Sequence, residues 1–337
     1  MSRILVTGGS GFIGSNFINY LLRDTEFKKR NQVMNLDKLT YAGQGRNLER
    51  MHIKPGTGKQ SRYKFNQVDI CSPEVFGIFE DYRPQVVFNF AAETHVDRCI
   101  GDSSSFVETN VRGTRNLLEA SLKNNVSLFL QVSTDEVYGS LDEFSPSSKE
   151  GDVLNPRSPY SATKAAAEHL ARSYFYTHGL PVIVTRSANN YGPFQFPEKF
   201  LPLFITHLID GKKVPLMWSP ENPGLNVRDW LDVKDNCRAI WHLSQKGKPG
   251  EIYNIAGRNE RTNTDVTKAL LDIFEVGEEM VQRVDHRKGH DFRYSIDDSK
   301  LRGLGFEHAS LDFENGLRNL VKWYRENEGW WRPLKNG

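Results

Sequence analysis

The stretch ILVTGGSGFIGSNF, residues 4–17, decides the fold. Ile4 to Thr7 read as a buried strand, and SNFINYLLRD (15–24) repeats its apolar residues at helical spacing. Between them Gly8, Gly11 and Gly14 stand three residues apart. The first lets the chain turn sharply after the strand, the second lets backbone approach a pyrophosphate, and the third lets the helix pack close to the sheet. The helix start then offers unpaired N–H groups and partial positive charge to phosphate oxygens. A glycine-rich structural turn would share the composition. The preceding strand and following helix supply the context a dinucleotide site needs.

Outward from that turn, QVMNLD (32–37), YKFNQVDI (63–70), QVVFNFA (85–91), LFLQVST (128–134) and PVIVTRS (181–187) alternate with helix-like segments such as RGTRNLLEASLKNN (112–125). The runs are apolar on both parities, as strands covered on both faces require. Strands alternating with helices predict an α/β fold: a Rossmann-type, doubly wound parallel sheet with right-handed crossovers. After about residue 187 Pro and Gly become frequent, as in YGPFQFPEKFLP (191–202) and SPENPGLN (219–226), which predicts a smaller C-terminal substrate-binding lobe. The expected division is a cofactor-binding domain over 1–187, rejoined by 232–257, and a second lobe over 188–231 and 258–337. Within that lobe FENGLRNLVKWYREN (313–327) spaces Leu317, Leu320, Val321 and Tyr324 as a packing helix.

Composition narrows the function. The chain has 337 residues, 26% charged and 38% hydrophobic, with a formal net charge of +2, so no basic field points to nucleic acid. No apolar run reaches transmembrane length and no signal peptide is visible, so a cytoplasmic protein without membrane contact is expected. Cys71, Cys99 and Cys237 lie far apart with no CxxC pair, so reduced thiols are expected, with neither disulfide nor metal site. The loop HIKPGTGKQSR (52–62) lacks the GxxxxGK[ST] spacing of a phosphate-binding loop.

Two further positions address the cofactor. Asp37 ends the second strand where an adenosine ribose would lie; its carboxylate accepts from ribose hydroxyls and repels a 2′-phosphate, favouring NAD over NADP. Lys38 beside it tempers that repulsion. Asp69 ends the third strand, where it either meets the adenine edge or caps the strand.

The chemistry-bearing run is YSATK (160–164), which places Tyr160 one helical turn from Lys164, after Ser158 and Pro159 suited to a helix start. An ammonium beside a phenol lowers its pKa, so the phenolate can take a proton from a sugar hydroxyl. Upstream, QVSTDEVYGS (131–140) sets Asp135 and Glu136 side by side after Ser133 and Thr134, at the mouth of a strand. The pair reads either as a solvated turn or as an acid and a base over one substrate.

The glycine turn, Ser133-Thr134 and Tyr160-x-x-x-Lys164 resemble the extended short-chain dehydrogenase/reductase family. Within it, NLDKLTYAG (35–43), AAETHVDRCI (91–100), STDEVYG (133–139), NNYGPFQFPEKFLP (189–202), NVRDWL (226–231), NERTN (259–263) and GHDFRY (289–294) resemble the dTDP-glucose 4,6-dehydratase family over nearly the whole chain. The resemblance implies an NAD-dependent lyase of deoxysugar biosynthesis. It converts dTDP-glucose, or a related nucleotide sugar, to the 4-keto-6-deoxy sugar and water. It implies that Tyr160 takes the C4 hydroxyl proton during oxidation, Glu136 removes the C5 proton and Asp135 protonates the departing C6 hydroxyl; Thr134 bonds the C4 oxygen. Carried over position by position, Gly8, Gly11, Phe12, Ile13, Gly14, Asp37, Lys38, Leu39, Thr40, Asp69, Ile70, Ala91, Ala92, Thr94, Thr109, Tyr160, Lys164 and Asn190 would contact NAD. Thr94, Thr134, Asn189, Glu198, Lys199, Arg228, Asn259 and His290 would contact the sugar nucleotide. Arg228 can fork onto a diphosphate oxygen and Lys199 can add a point charge. His95 is assigned to orienting its loop.

The chain departs from the family pattern in PLMWSPENPGLNVRDW (215–230), where Met217 and Trp218 stand and the loop to Arg228 is longer. It departs again at His286-Arg287-Lys288-Gly289-His290-Asp291. Both bear on which nucleotide base is taken. Competing readings are a nucleotide-sugar 4-epimerase or UDP-glucuronate decarboxylase, which need no acid–base pair for C5 and C6, and a non-catalytic module that binds sugar nucleotide or NAD. The segments at 105–125 and 158–179 read as two long helices, the second with Ala162, Ala165, Ala166 and Ala167 permitting close approach. In the family such helices form a four-helix dimer interface, so a homodimer is expected.

Overall fold

The computed structural model describes residues 3–23, 32–43, 45–56, 61–95, 101–286 and 289–335. Cys99, Arg287, Lys288 and part of the 52–62 loop lie outside the described residues. The strands are β1 Arg3–Thr7, β2 Gln32–Asp37, β3 Tyr63–Gln67, β4 Val86–Asn89, β5 Leu128–Thr134, β6 Val182–Ser187, β7 Asn189–Tyr191, β8 Val214–Met217, β9 Val227–Asp232, β10 Ile252–Ile255, β11 Glu260–Thr262 and β12 Val281–Val284.

Seven strands form one sheet in the order β3-β2-β1-β4-β5-β6-β10, every neighbouring pair parallel. Side chains of a strand point alternately to opposite faces. Ile4, Val6, Leu130 and Val132 therefore enter the core on one face. Leu5, Val87, Phe129 and Val184 enter the other with Leu117, Leu118 and Ala171. Both faces are covered by helices, which is why β2, β5 and β6 are buried along their whole length. Chain order reverses between β1 and β4, and a crevice opens beyond the carboxyl ends of strands at such a point. The Val233–Lys246 helix, capped by the Asp232 carboxylate accepting from Lys234 N at 2.7 Å, packs on the Phe12–Arg23 helix, and β10 then pairs with β6.

Two smaller sheets lie outside this layer. In one, β9 runs parallel to β7 and antiparallel to β11; in the other, β8 pairs in parallel with β12. The Phe313–Glu326 helix buries Phe313, Leu317, Leu320, Val321 and Tyr324, the apolar stripe its spacing predicts. Its Tyr324 hydroxyl donates to the Gln195 carbonyl at 2.5 Å, fixing the loop that follows β7.

One segment differs from the uninterrupted helix expected over 105–125. After Ser104–Phe106 the chain makes a π-helical segment, Val107–Gly113, before the α-helix Thr114–Lys123. The wider turn carries Asn110 inward. Its side-chain Oδ1 accepts from Glu93 N at 2.9 Å, and its Nδ2 donates to Glu93 O at 3.1 Å and to Thr163 Oγ1 at 3.0 Å. One buried amide thus joins the loop after β4 to the helix that carries Tyr160 and Lys164. π-Segments of this kind concentrate at functional sites.

Candidate active site

A cleft of about 230 Å³ opens at the chain reversal between β1 and β4. Its floor is the glycine turn. Gly8 has φ +65°, and a Cβ there would stand 2.7 Å from Ala91 N; a Cβ on Gly14 would stand 2.3 Å from Gly8 O. Neither position accepts a side chain, so backbone lines the cleft where the Phe12–Arg23 helix begins. A cradle of backbone N–H groups at a helix start fits the pyrophosphate of a dinucleotide.

The wall beyond the glycine turn is built by Asp37, which is buried at the end of β2. Its carboxylate accepts from Ser10 N at 2.9 Å and Leu39 N at 2.8 Å, and a Cβ on Gly43 would meet it at 2.8 Å. Burial pushes the carboxyl up, while those two N–H groups pull it back down. Lys38 points along the same wall but is held there: its Nζ lies 3.7 Å from Asp69, 3.4 Å from Glu93 and 3.1 Å from Thr109 Oγ1. With two carboxylates on it, this ammonium is not an open phosphate contact. The wall therefore suits a ribose with free hydroxyls better than one carrying a 2′-phosphate.

Most residues expected to touch the cofactor line this cleft: Gly8, Gly11, Phe12, Ile13, Gly14, Asp37, Lys38, Thr40, Ile70, Ala91, Ala92, Thr94, Thr109, Tyr160 and Lys164. Leu39, Asp69 and Asn190 do not. Asp69 turns its Oδ1 back to accept from Cys71 N at 2.9 Å, the strand-terminal cap that was the alternative to an adenine contact. Leu39 contributes backbone to Asp37, and Asn190 sits in β7 donating to Ala188 O at 3.0 Å.

Tyr160 and Lys164 come from the helix Pro159–His178. Ser158 and Ser161 close a capping box at its start, with Pro159 in the first turn, so the local sequence fixes where the helix begins. Both side chains are buried. Lys164 Nζ donates to Val132 O on β5 at 2.6 Å, which locks the helix to the end of that strand. Burial lowers the Lys164 pKa to about 8, with Glu168 opposing the shift. The ammonium therefore loses its proton as pH rises through about 8. We expect kcat/KM to fall from that pH upward, and a pH–rate profile flat to pH 10 contradicts the assignment.

The acid pair lies just past the cleft, where β5 ends. Thr134 caps the short 3-10 turn Asp135–Tyr138: its Oγ1 accepts from Glu136 N at 3.3 Å and donates to Asp135 Oδ1 at 3.2 Å. The turn makes the neighbours unlike. Asp135 is fully buried and Glu136 is half-buried. Burial, then the charges of Glu136 and Asp229, hold the Asp135 carboxyl well above the usual carboxylate range; Arg228 and Thr134 pull the other way. Its Oδ2 has no hydrogen-bond partner among the described residues. A carboxyl raised in this way keeps its proton and can donate it, which a solvated turn would not arrange.

Of the expected sugar-nucleotide residues, Asn189 and Arg228 lie on β7 and β9 of the three-stranded sheet, and the Arg228 charge acts on Asp135. Glu198 and Lys199 line the cleft mouth, where Glu198 pairs with His95 at 3.4 Å and Lys199 Nζ donates to Thr94 O at 3.2 Å. Arg228 is buried on β9, its guanidinium 4.3 Å over the Tyr294 ring and donating to the carbonyls of Val227 at 2.7 Å and Asp291 at 3.0 Å. Asn259 is buried beside it, and its backbone N–H donates to Asp229 at 2.7 Å. His290 contacts His286 at 3.1 Å, and His286 Nε2 reaches Asn222 O at 2.9 Å, joining these histidines to the longer 218–226 loop. Asn189 begins β7, with its Oδ1 buried and without a hydrogen-bond partner among the described residues. Trp218 is stacked by the Arg283 guanidinium at 4.4 Å.

Sequence reasoning missed Ser133, Gln195 and Phe196, which line the cleft, and Asn110 and Asp229, which act from behind it. The loop contacts carry no pattern signal. Ser133 was legible only as the neighbour of Thr134, although strand alternation sends the two to opposite faces.

The family model described as GDP-mannose 4,6 dehydratase matches residues 5–320. A dTDP-glucose 4,6-dehydratase of Neisseria meningitidis is 43% identical over 100% of this chain and 97% of its own length. One from Streptomyces niveus is 45% identical over 99% of this chain and 96% of its own. The chain belongs to the dTDP-glucose 4,6-dehydratase family. A Streptomyces venezuelae dTDP-glucose 4,6-dehydratase crystallised with NAD and dTDP superimposes with a TM-score of 0.91 at 45% identity, covering 98% of this chain and 99% of that one. The same fold carries other chemistry: a Thermotoga maritima UDP-glucose 4-epimerase superimposes with a TM-score of 0.85 at 30% identity, covering 97% and 99%. Among the described residues no helix is long and apolar enough to cross a membrane.

Proposed function

We propose that this chain is an NAD-dependent hydro-lyase that converts dTDP-glucose to its 4-keto-6-deoxy sugar and water, with the buried Asp135, its carboxyl pushed up by burial, beside half-buried Glu136 as the observation that carries the reading. Bound NAD supplies the oxidant for C4 and the reductant for C6. Tyr160 takes the C4 hydroxyl proton, with the Lys164 charge held one helical turn away by Val132 O. The ketone acidifies the C5 proton, and Glu136 removes it. Asp135 gives its proton to the C6 hydroxyl, which leaves as water, and C5 of the resulting enone regains a proton from Glu136 as C6 is reduced. Thr134 orients Asp135 by donating to its Oδ1, holds the turn by accepting from the Glu136 backbone N–H, and can reach the C4 oxygen. Arg228, Lys199, Asn189, Asn259 and His290, from a sugar-nucleotide lobe over 188–231 and 258–337, hold the diphosphate and sugar. The dTDP-glucose 4,6-dehydratases at 43–46% identity support thymidine over uridine. Turnover assayed against dTDP-glucose, UDP-glucose and GDP-mannose tests this. A 4-keto-6-deoxy product from dTDP-glucose is expected, and a C4 epimer from UDP-glucose refutes it.

The reading extends to a cytoplasmic homodimer. On the Pro159–His178 helix, Ala162, Ala166, His169, Ser173 and Tyr176 are exposed at spacings of four and three, forming one outward stripe with the Arg172 guanidinium over its Tyr176 end. Val107 on the neighbouring helical segment is also exposed, at 49%. Small residues on such a stripe let two helix pairs approach closely. Light scattering is expected to return a dimer mass, with Ala166→Glu shifting it to monomer; a wild-type monomer at working concentration contradicts this.

A further inference from the structure

A polar ladder crosses the middle of the main sheet on the face toward the Tyr160 helix. Thr7 Oγ1 on β1 donates to Asn89 Oδ1 on β4 at 2.6 Å. Asn89 Nδ2 donates to Gln131 Oε1 on β5 at 2.8 Å and to Thr114 Oγ1 at 3.2 Å. Gln131 Nε2 donates to Val132 O at 3.3 Å, the carbonyl that also receives Lys164. These side chains satisfy one another, as buried polar groups must. The next residue on the same face of β5 is Ser133, since side chains two apart on a strand share a face. It is 5% exposed, lines the cleft with Tyr160 and Lys164, and its hydroxyl has no hydrogen-bond partner among the described residues. A buried hydroxyl left unmatched costs free energy that a bound ligand can return.

We infer that the Ser133 hydroxyl is a binding contact for the nicotinamide riboside half of the dinucleotide, a role distinct from that of Thr134. This rests on the NAD reading above. The placement follows from the cleft itself. The glycine turn and Asp37 occupy the β1–β2 side, which takes pyrophosphate and adenosine ribose, so the end framed by β5, Tyr160 and Lys164 receives the other half. Strand alternation sends Thr134 to the opposite face, where its hydroxyl serves the acid pair. Ser133 can donate to a carboxamide or ribose oxygen, or accept from the carboxamide N–H₂ or a ribose hydroxyl.

The test titrates the full chain, freed of copurified nucleotide, with NAD, ADP-ribose and ADP, comparing wild type with Ser133→Ala. One net hydrogen bond corresponds to roughly a threefold to tenfold loss of affinity. A loss of that size for NAD alone places the contact on the carboxamide; a loss for NAD and ADP-ribose but not ADP places it on the ribose. Either supports the inference. Unchanged NAD affinity overturns it, and so does an equal loss for all three ligands, which marks a structural role. If wild type binds no NAD, the cofactor reading itself fails, and that outcome is distinguishable because it appears before any substitution.

Discussion

Asp135→Asn lowers kcat by about 10²–10⁴-fold, the scale of a lost general acid. Burial and the neighbouring charges of Glu136 and Asp229 keep the native carboxyl protonated, and an amide cannot transfer a proton to a departing hydroxyl. Asn is close in shape, so the caps that Thr134 makes should persist and the fold should hold. Glu136→Gln is expected to fall as far for a different reason. The two are separated by solvent exchange at C5: sugar bound to the Asp135→Asn protein still exchanges its C5 proton with D₂O, because Glu136 remains. Sugar bound to the Glu136→Gln protein does not. Turnover surviving both substitutions, or exchange lost equally in both, removes the division of roles. The sign with pH follows from the raised Asp135 carboxyl: it works while protonated, so activity declines as pH rises far enough to ionise it.

Tyr160→Phe is the second large effect, again about 10²–10⁴-fold in kcat. The ring is buried against Phe106, so removing the hydroxyl leaves its apolar packing in place. Helix position is set by the Ser158 cap and by Lys164 on Val132 O, neither of which involves the phenol oxygen. Thermal stability should therefore stay close to wild type while turnover collapses, with any loss of NAD affinity far smaller than the loss in kcat. Comparable losses in affinity and turnover would mean that Tyr160 serves mainly to shape the cleft.

Much of this was visible in the chain before its structure. The three glycines, the parity-independent strands and the capped YSATK helix each follow from local rules, and the structure places them at one chain reversal. The acid pair was visible as a pair but not as an acid and a base. What makes Asp135 differ from Glu136 is burial by the 3-10 turn and the charge of Asp229, which arrives from β9 nearly a hundred residues later. Lys38 shows the same limit. Beside Asp37 it read as a cation able to tolerate phosphate, and only Asp69 and Glu93, from two other strand ends, show it neutralised. The π-helical turn at Val107–Gly113 had no signature either, because its cause is Asn110 reaching the Glu93 backbone. Long-range partners, rather than local propensity, set these features.

The central claim is that oxidation at C4 and reduction at C6 are two ends of one cycle, with water lost between them by Asp135 and Glu136. Turnover of dTDP-glucose carrying deuterium at C4 tests it most directly. The account predicts a 4-keto-6-deoxy product with the label at C6. A C4 epimer with its C6 hydroxyl intact, or a deoxy product with no label at C6, would contradict it.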